Sequence, residues 1–224
     1  DSGTWLRRGV ADARGTVVAL LAADHVEDAA TTLSELTGRP ARTISSEPEA
    51  AARGARTTPG LPPDSVVCDI GGGTIDLIGP DRTITAAGAG ETITVAVARM
   101  LNIPRALAER VKRTPAIRVE GPHVAHEEDG RRLFLDAPAP ADAIGRLCTR
   151  GTVGLVPFST KLAAEEWRSL RLAIKQETVA ANIARCLAAF EKPPAALVLA
   201  GGGALDDELL RTVGESLRGV GVVV

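Results

Sequence analysis

The segment SVVCDIGGGTIDLIG, residues 65–79, holds the residues best suited to chemistry. Asp69 ends an apolar run, three consecutive glycines follow at 71–73, and Asp76 comes seven residues after Asp69. Glycine backbones let several N–H groups point into one concavity and approach an anion closely. A carboxylate at the rim of such a concavity holds Mg²⁺ or its water shell, and the metal bridges to phosphate oxygens. The pattern therefore indicates a phosphate-binding turn with Asp69 on the magnesium side.

The residues after the glycines decide which kind of turn this is. No lysine follows any glycine cluster, which excludes the GxxxxGK[ST] phosphate loop. A dinucleotide fingerprint needs a helix after its glycines, whereas TIDLI alternates and is rich in β-branched residues. The segment therefore predicts a glycine-rich β-hairpin. Taken alone, it also suits an ordinary tight hairpin whose two aspartates are solvated or cap the turn.

Two further segments fit the same nucleotide site. LVLAGGGALDD, residues 197–207, predicts a buried strand, a glycine turn and a helix, which suits close approach by a planar base and ribose. SSEPEAAARG, residues 45–54, places Glu47 just after a predicted strand, at a helix start. Each has a plainer interpretation: a simple strand–helix turn, and an acid favoured by the helix dipole. The three segments in this order are more specific than any one of them.

Composition narrows the classes of function. The 224 residues carry a formal charge of −2, so nucleic acid and anionic membranes are not expected partners. Aromatic residues make up only 2 %, which argues against base-stacking platforms. Three cysteines without CxxC spacing indicate free thiols in a reducing compartment. The longest apolar run, Val17–Ala23, is too short to span a bilayer, and no signal peptide is visible, so we expect a cytoplasmic protein.

Hydrophobic periodicity predicts an α/β protein with some antiparallel strand pairs. Strands are expected at 15–23 and in ARTIS (41–45), with a helix between them that begins near Asp24. A small β excursion is expected around AIRVEG and RRLFLD. A long helix from about Leu162 to Phe190 is expected to cross between two lobes.

The order of these motifs resembles the actin-like ATPase superfamily, which includes actin, sugar kinases and heat-shock ATPase chaperones. CDIGGGTIDL resembles its second phosphate hairpin, and LVLAGGGALDD its adenosine motif. EPEAAA is similar to the chaperone helix that carries a catalytic-site glutamate. The resemblance implies an actin-like, ribonuclease H-like core with a mixed sheet flanked by helices.

A closer resemblance covers nearly the whole chain. ARGARTTPGL, TAAGAGETITVAVARMLNI, RVKRTPAIRVEGPHVAHEEDGRRLFLD, GLVPF and SLRLAIKQETVAANIARCLAAF resemble the large subunits of diol/glycerol dehydratase reactivating factors. That family implies a chaperone-like ATPase that binds ATP or ADP with Mg²⁺ and partners a small subunit. Its client is a cobalamin-dependent dehydratase, from which damaged cofactor is released by ATP-dependent subunit exchange.

The resemblance also implies roles for individual residues. The β-phosphate cradle would be Gly71, Gly72, Gly73 and Thr74, and the adenosine pocket would be lined by Gly201, Gly202, Gly203 and Leu205. Asp69 would stand on the magnesium side, and Glu47 would face the phosphates or the attacking water. Arg171 and Lys175, one turn apart on the long helix, could flank the adenine or form a solvated helix face.

The chain departs from the family pattern near its beginning. A D-x-G-x-[ST] hairpin is expected before the other motifs. DSGT at residues 1–4 mimics it, but no apolar strand leads into it. The family's swivelling domain is also absent, and the sequence opens without methionine, which indicates a fragment or a processed form. We therefore expect residues 1–64 to be a remnant of the first lobe. The second lobe, residues 65–224, would hold the hairpin, the long helix and the adenosine motif.

Two alternatives remain on the same fold: a small-molecule kinase, and a degenerate scaffold that does not hydrolyse nucleotide. Weak ATPase activity is expected only if the full site is present.

His123 and His126 have the spacing of metal ligands, but the sequence offers no further group of ligands to complete a metal site with them. A charged, solvated turn is therefore expected there.

Overall fold

The computed structural model describes residues 24–41, 46–152, 154–217 and 220–223. The helices are α1 (Asp24–Thr37), α2 (Glu47–Ala55), α3 (Gly90–Leu101), α4 (Arg105–Val111), α5 (Ala164–Lys175), α6 (Ala181–Leu187) and α7 (Asp207–Ser216). The strands are β1 (Val66–Ile70), β2 (Thr74–Ile78), β3 (Thr83–Ala87), β4 (Ala116–Gly121), β5 (Val124–Glu127), β6 (Arg132–Phe134), β7 (Leu147–Gly151), β8 (Gly154–Ser159), β9 (Ala196–Ala200) and β10 (Gly221–Val223). The DSGT segment and the strand expected at 15–23 lie outside the described residues, as does all but the first residue of ARTIS.

The main sheet has five strands in the order β10-β9-β1-β2-β3. β1, β2 and β3 form an antiparallel meander, whereas β9 and β10 run parallel to β1. The predicted glycine hairpin is confirmed as the β1–β2 connection, with Asp69 directly opposite Asp76. The sheet is therefore mixed, as expected, and the two aspartates stand near the hairpin end of β1, the central strand, and of its neighbour β2.

The two faces of this sheet are covered differently. On one face, Cys68, Ile70 and Leu77 join a large core with α3, α6 and α7. On the other face, Val67 and Ile78 pack with Ala52 of α2 in a small cluster. Because side chains alternate along a strand, Asp69 projects to the same face as Val67, next to α2. The large core therefore anchors the hairpin from behind and leaves its acidic side less covered.

A second, antiparallel sheet has the order β6-β5-β4-β7-β8 and a small core of its own. The β excursion is confirmed, but β7 and β8 add two strands that periodicity did not predict. The solvated turn expected at the two histidines is confirmed for His123, which is exposed between β4 and β5. It is wrong for His126, which lies in β5 with its Nδ1 3.1 Å from a carboxylate oxygen of Glu120.

The long helix is confirmed, with ends at Ala164 and Leu187 and a π-helical segment, Gln176–Ala180, between α5 and α6. Its first half packs on β4 and β5 and its second half on β2 and β3, so it joins the two sheets. Gln176 exchanges hydrogen bonds with Ser216, which ties the π segment to α7. Within the described ranges, no helix has the length and apolar character needed to cross a bilayer.

Candidate nucleotide site

The glycine turn between β1 and β2 is closed by one backbone hydrogen bond, from the N–H of Gly71 to the carbonyl of Thr74 (3.0 Å). Gly72 and Gly73 are exposed, and their N–H groups have no hydrogen-bond partner among the described residues. Solvent-facing, unpaired N–H groups on adjacent glycines are the donors that an anion-binding concavity needs. A Cβ built on Gly72 would meet no atom within 4 Å, so the space above the turn is open.

The carbonyl groups of the same turn accept hydrogen bonds from the start of α3, on the core side of the hairpin. The N–H groups of Gly90 and Glu91, at the start of α3, donate to the carbonyls of Gly71 (3.2 Å) and Gly72 (2.7 Å). In a planar trans peptide the C=O and the following N–H point in opposite directions. The contacts with α3 therefore turn the N–H groups of Gly72 and Gly73 away from the core. The turn AGAG (residues 87–90), which leads into α3, thus orients the glycine hairpin.

Three carboxylates gather on the acidic side of the hairpin. Asp76 is buried and accepts hydrogen bonds from the hydroxyls of Thr74 (3.1 Å) and Thr85 (2.5 Å). Asp69 is half-buried and accepts no side-chain hydrogen bond from any described residue. Burial raises its pKa above the ordinary value, and the negative charges of Glu47 and Asp76 raise it further. A cation beside Asp69 would reverse this effect by favouring the ionised form.

These carboxylates suit a hydrated rather than a fully protein-bound cation. Across the described residues, no group of three or more Asp, Glu, His or Cys side chains is arranged to hold a metal directly. Mg²⁺ usually keeps several waters and binds through one or two carboxylates and the phosphates of its ligand. Asp69, close to the unpaired N–H groups of Gly72 and Gly73, fits that description.

The influence of Glu47 on Asp69 can be tested by titration. We expect Glu47→Gln to lower the pKa of Asp69, because it removes a neighbouring negative charge. The carboxyl ¹³C shift of Asp69 followed against pH by NMR measures this. Glu49→Gln is the matched control, since Glu49 lies one half-turn away on α2 and pairs with Arg53 (2.6 Å). Equal titration curves for Asp69 in both variants would contradict the proximity of Glu47.

The second glycine turn packs against the end of β1, directly before the first glycine turn. β9 lies parallel to β1 with Ala200 beside Asp69, so the following turn meets the end of β1. Gly201 has φ +81°, and a Cβ there would collide with the Asp69 carboxylate and the backbone of Ile70. A Cβ on Gly203 would collide with the Ile70 side chain. The two predicted motifs are therefore packed against each other, as one composite site requires.

A cleft of about 260 Å³ lies between the two turns. It is lined by Gly71, Gly72, Gly90, Glu91, Ile93, Glu109, Lys112, Arg113, Gly202, Gly203, Leu205, Asp206 and Leu209. The residues of α4 and its C-terminal end were not among those predicted for the site. In the sequence, only the charged run ERVKR (residues 109–113) could have indicated them, and that run fits a solvent-exposed helix equally well.

Lys112 is more buried than Glu109 and Arg113, the other charged residues added here. Its Nζ is almost buried and donates to the carbonyl of Gly90 (2.8 Å) and to the hydroxyl of Thr94 (2.7 Å). It also pairs with Glu109 at 2.6 Å. Burial by itself raises the pKa of Glu109, but hydrogen bonds from Lys112 and Thr94 outweigh it and lower that pKa. Lys112 thereby fixes the start of α3, which in turn holds the glycine hairpin.

A wider cleft of about 660 Å³ adjoins the first and shares four lining residues with it, Glu109, Arg113, Leu205 and Asp206. Leu205 is 79 % exposed and therefore presents apolar surface to both clefts. Arg171 also lines the wider cleft. A planar base stacked on Leu205 would cover this apolar surface.

Arg171 and Lys175 are completely buried, so the interpretation of a solvated helix face is wrong. Arg171 binds Glu128 and Glu208, each through two N–H···O contacts, at 2.6–2.8 Å. Lys175 binds Asp206 and Glu208 (2.7 and 2.9 Å), and Asp206 caps the start of α7. Arg171 borders the wider cleft, whereas Lys175 acts on it through Asp206. A direct contact of either residue with adenine stays a prediction.

Comparison with known proteins agrees with this architecture. The structure of a diol dehydratase-reactivating factor in nucleotide-free form superposes with a TM-score of 0.76 at 30 % identity, over 89 % of this chain and 35 % of that one. MreB5 of Spiroplasma citri bound to AMPPNP superposes with a TM-score of 0.58 at 20 % identity, over 90 % of this chain and 60 % of that one. The fold is that of the actin-like ATPases, as predicted.

The sequence comparison narrows the class to one family. Residues 9–224 match the diol dehydratase reactivase ATPase-like domain. The chain is 35 % identical over 182 residues to the propanediol dehydratase-reactivating factor large subunit of Citrobacter freundii. This chain belongs to the diol dehydratase reactivase family. The matched region is 76 % of this chain and 30 % of that relative, so the chain spans about a third of the relative's length.

Proposed function

We propose that this chain is the nucleotide-binding core of a reactivating-factor large subunit, and that it binds ADP or ATP with Mg²⁺ between its two glycine turns. The observation that carries the proposal is the direct packing of Gly201 and Gly203 against Asp69 and Ile70. Two motifs 130 residues apart in sequence meet around one cleft, with unpaired N–H donors on one side and an exposed apolar side chain on the other.

Each part of the nucleotide has a candidate partner. The β-phosphate would accept hydrogen bonds from the N–H groups of Gly72 and Gly73, and the base would lie against Leu205. The hydroxyl of Thr74 already donates its hydrogen bond to Asp76. Its oxygen can therefore accept a hydrogen bond from a ligand, but it can donate one to a phosphate only after the side chain rotates. Mg²⁺, held by Asp69 through its water shell, would neutralise phosphate charge. Glu47, exposed at the start of α2 on the same face, is placed to orient a water molecule.

The wider role follows from family membership. In this proposal the large subunit hydrolyses ATP weakly and works in the cytoplasm with a small subunit. Nucleotide state governs the exchange of that subunit with a cobalamin-dependent diol or glycerol dehydratase, from which damaged cofactor is released. The names of the relatives, which describe reactivating factors and their large subunits, support this role. Residues 65–224 would supply the second lobe of the ATPase core, and residues 1–64 part of the first.

Calorimetric titration of Mg²⁺·ADP tests the site. We expect Asp69→Ala and Gly72→Val each to weaken binding at least about tenfold, since one removes the magnesium-side acid and the other fills the phosphate concavity. Gly121→Val is the matched control, because Gly121 lies in β4 with no atom within 4 Å of a built Cβ. Thermal unfolding of all variants checks that the fold is retained.

The possible results separate two functions. Binding that is lost in the two site variants and kept in Gly121→Val supports the proposal and justifies an assay of dehydratase reactivation with the small subunit added. Equal affinity in all variants would place the nucleotide elsewhere. A folded parent chain that binds no Mg²⁺·ADP would contradict the proposal and favour a scaffold that does not hydrolyse nucleotide.

A further inference from the structure

A separate groove lies where the turn between α3 and α4 faces the loop between β8 and α5. Its volume is about 530 Å³, and it shares no lining residue with the two clefts at the glycine turns. The loop that forms one wall is held in place: Arg118 of β4 donates to the carbonyl of Leu162 (2.8 Å), and Glu166 accepts the N–H of Ala163 (2.8 Å). The groove is therefore a preformed feature of the fold.

The floor of the groove is apolar. Its aliphatic side chains are half-buried and rest on the main core, which leaves their outer surfaces uncovered; they are Leu101, Ile103, Leu107, Leu162 and Leu170. Met100 at the edge is 53 % exposed. Methionine adapts its shape to different partners, which is why it recurs at protein-binding surfaces.

The rim of the groove is cationic. Arg146 and Lys161 line it at exposed positions, and no Asp or Glu is among its lining residues. Neither cation has an ion-pair partner in the described part of the chain, whereas some exposed arginines elsewhere, such as Arg53 and Arg131, are paired. The whole chain carries a net charge of −2, so this local excess of positive charge contrasts with the rest of the molecule.

From this combination we infer that the groove docks an acidic, apolar segment of a partner protein. The segment inserts Leu, Ile, Met or Phe side chains against the floor and sets Asp or Glu residues beside Arg146 and Lys161. Pockets for small ligands usually present a few fixed, convergent polar groups. Here both charged groups are long side chains at the exposed rim, which is the arrangement of a protein interface with an apolar centre and a polar edge.

Selection from a random 12-residue peptide library displayed on phage tests the inference. We expect the bound peptides to be enriched in Asp and Glu next to large aliphatic or aromatic residues. The double variant Arg146→Glu/Lys161→Glu should bind these peptides at least about fivefold more weakly, because charge reversal replaces attraction with repulsion. Lysine-for-glutamate versions of the same peptides should bind the double variant better than they bind the parent chain. Met100→Glu should also weaken binding of the original peptides.

The control is Arg132→Glu/Arg150→Glu, which reverses two exposed cations that have no ion pair among the described residues and do not line the groove. Peptides that bind both double variants equally would overturn the inference. Octanoate binding with the same dependence on Arg146 and Lys161, at equal affinity, would overturn it in favour of a small amphipathic anion. Self-association that Arg146→Glu/Lys161→Glu abolishes, measured by sedimentation velocity, would overturn it in favour of a second copy of this chain.

Discussion

Replacement of Arg171 by alanine is expected to lower the free energy of unfolding by about 3–5 kcal/mol, the range for breaking one side of a buried ion pair. Arg171 is only 1 % exposed and makes charge-assisted hydrogen bonds to two carboxylates, Glu128 and Glu208. Its guanidinium also lies 5.6 Å from the ring centre of Trp167. The substitution would leave both carboxylates poorly solvated. Glu208 would keep its pair with Lys175, but Glu128 would have no ion-pair partner among the described residues.

Charge balance explains the size of the expected effect. The cluster contains two cations, Arg171 and Lys175, and three carboxylates, Glu128, Asp206 and Glu208. Removal of one cation leaves three negative charges against one positive charge in a largely buried place. Arg171→Lys keeps the charge but loses the planar fork that binds two carboxylates, so we expect it to recover only part of the stability.

Urea denaturation of Arg171→Ala, Arg171→Lys and Arg53→Ala measures these differences. Arg53 pairs with Glu49 at the surface, with 67 % and 51 % of the two side chains exposed, so its loss is expected to change the unfolding free energy by less than about 0.5 kcal/mol. If Arg171→Ala cost no more than Arg53→Ala, the buried network would not stabilise the fold.

The same network predicts acid sensitivity. Burial alone would raise the pKa of Glu208, but hydrogen bonds and charge from Arg171 and Lys175 outweigh it and lower that pKa from 4.5 to about 2. A carboxyl whose pKa is lowered by folding contributes stability above its unfolded pKa and loses it as pH falls through the folded pKa. The parent chain should therefore lose this contribution between about pH 4.5 and pH 2. Arg171→Ala should show a smaller loss over that interval.

Local patterns predicted much of the fold and of the site. The β1–β2 hairpin follows from β-branched alternation around three glycines, and the long helix from its continuous periodicity. Both features are determined by residues that are close together in the sequence, so a sequence pattern is enough to predict them. β7 and β8 were missed because LCTRG and GLVPF are short and interrupted by glycine and proline, and their pairing depends on partners far away in the chain.

The environment of the charged residues could not be predicted in this way. A helix with arginine and lysine one turn apart usually exposes them, and nothing local shows that Glu128 and Glu208 lie within reach of Arg171. The partners lie 43 and 37 residues away in sequence. Lys112 was missed for the same reason, since its partner Gly90 is 22 residues distant. Burial of charge is a property of tertiary packing, so only the structure identifies these residues as organisers of the site.

Gly201→Ala is expected to cost about 2–5 kcal/mol of folding stability and to weaken Mg²⁺·ADP binding at least about tenfold. The backbone of Gly201 has φ +81° and ψ −178°, a conformation that essentially only glycine adopts. A methyl group there would also meet the carboxylate of Asp69 and the backbone of Ile70. To relieve that overlap, either Asp69, the acid assigned to the magnesium side, has to move or β9 has to separate from β1.

Gly202→Ala is the matched comparison, one residue further along the same turn. Gly202 has no positive φ, and a Cβ there meets nothing within 4 Å, so its stability should change little. Calorimetric titration and thermal unfolding of both variants then separate two explanations. If Gly201→Ala stays folded but loses nucleotide, the contact of the second glycine turn with the end of β1 sets the position of Asp69. If both variants bind and unfold as the parent chain does, that contact has no part in the site, and the adenosine and phosphate motifs act independently.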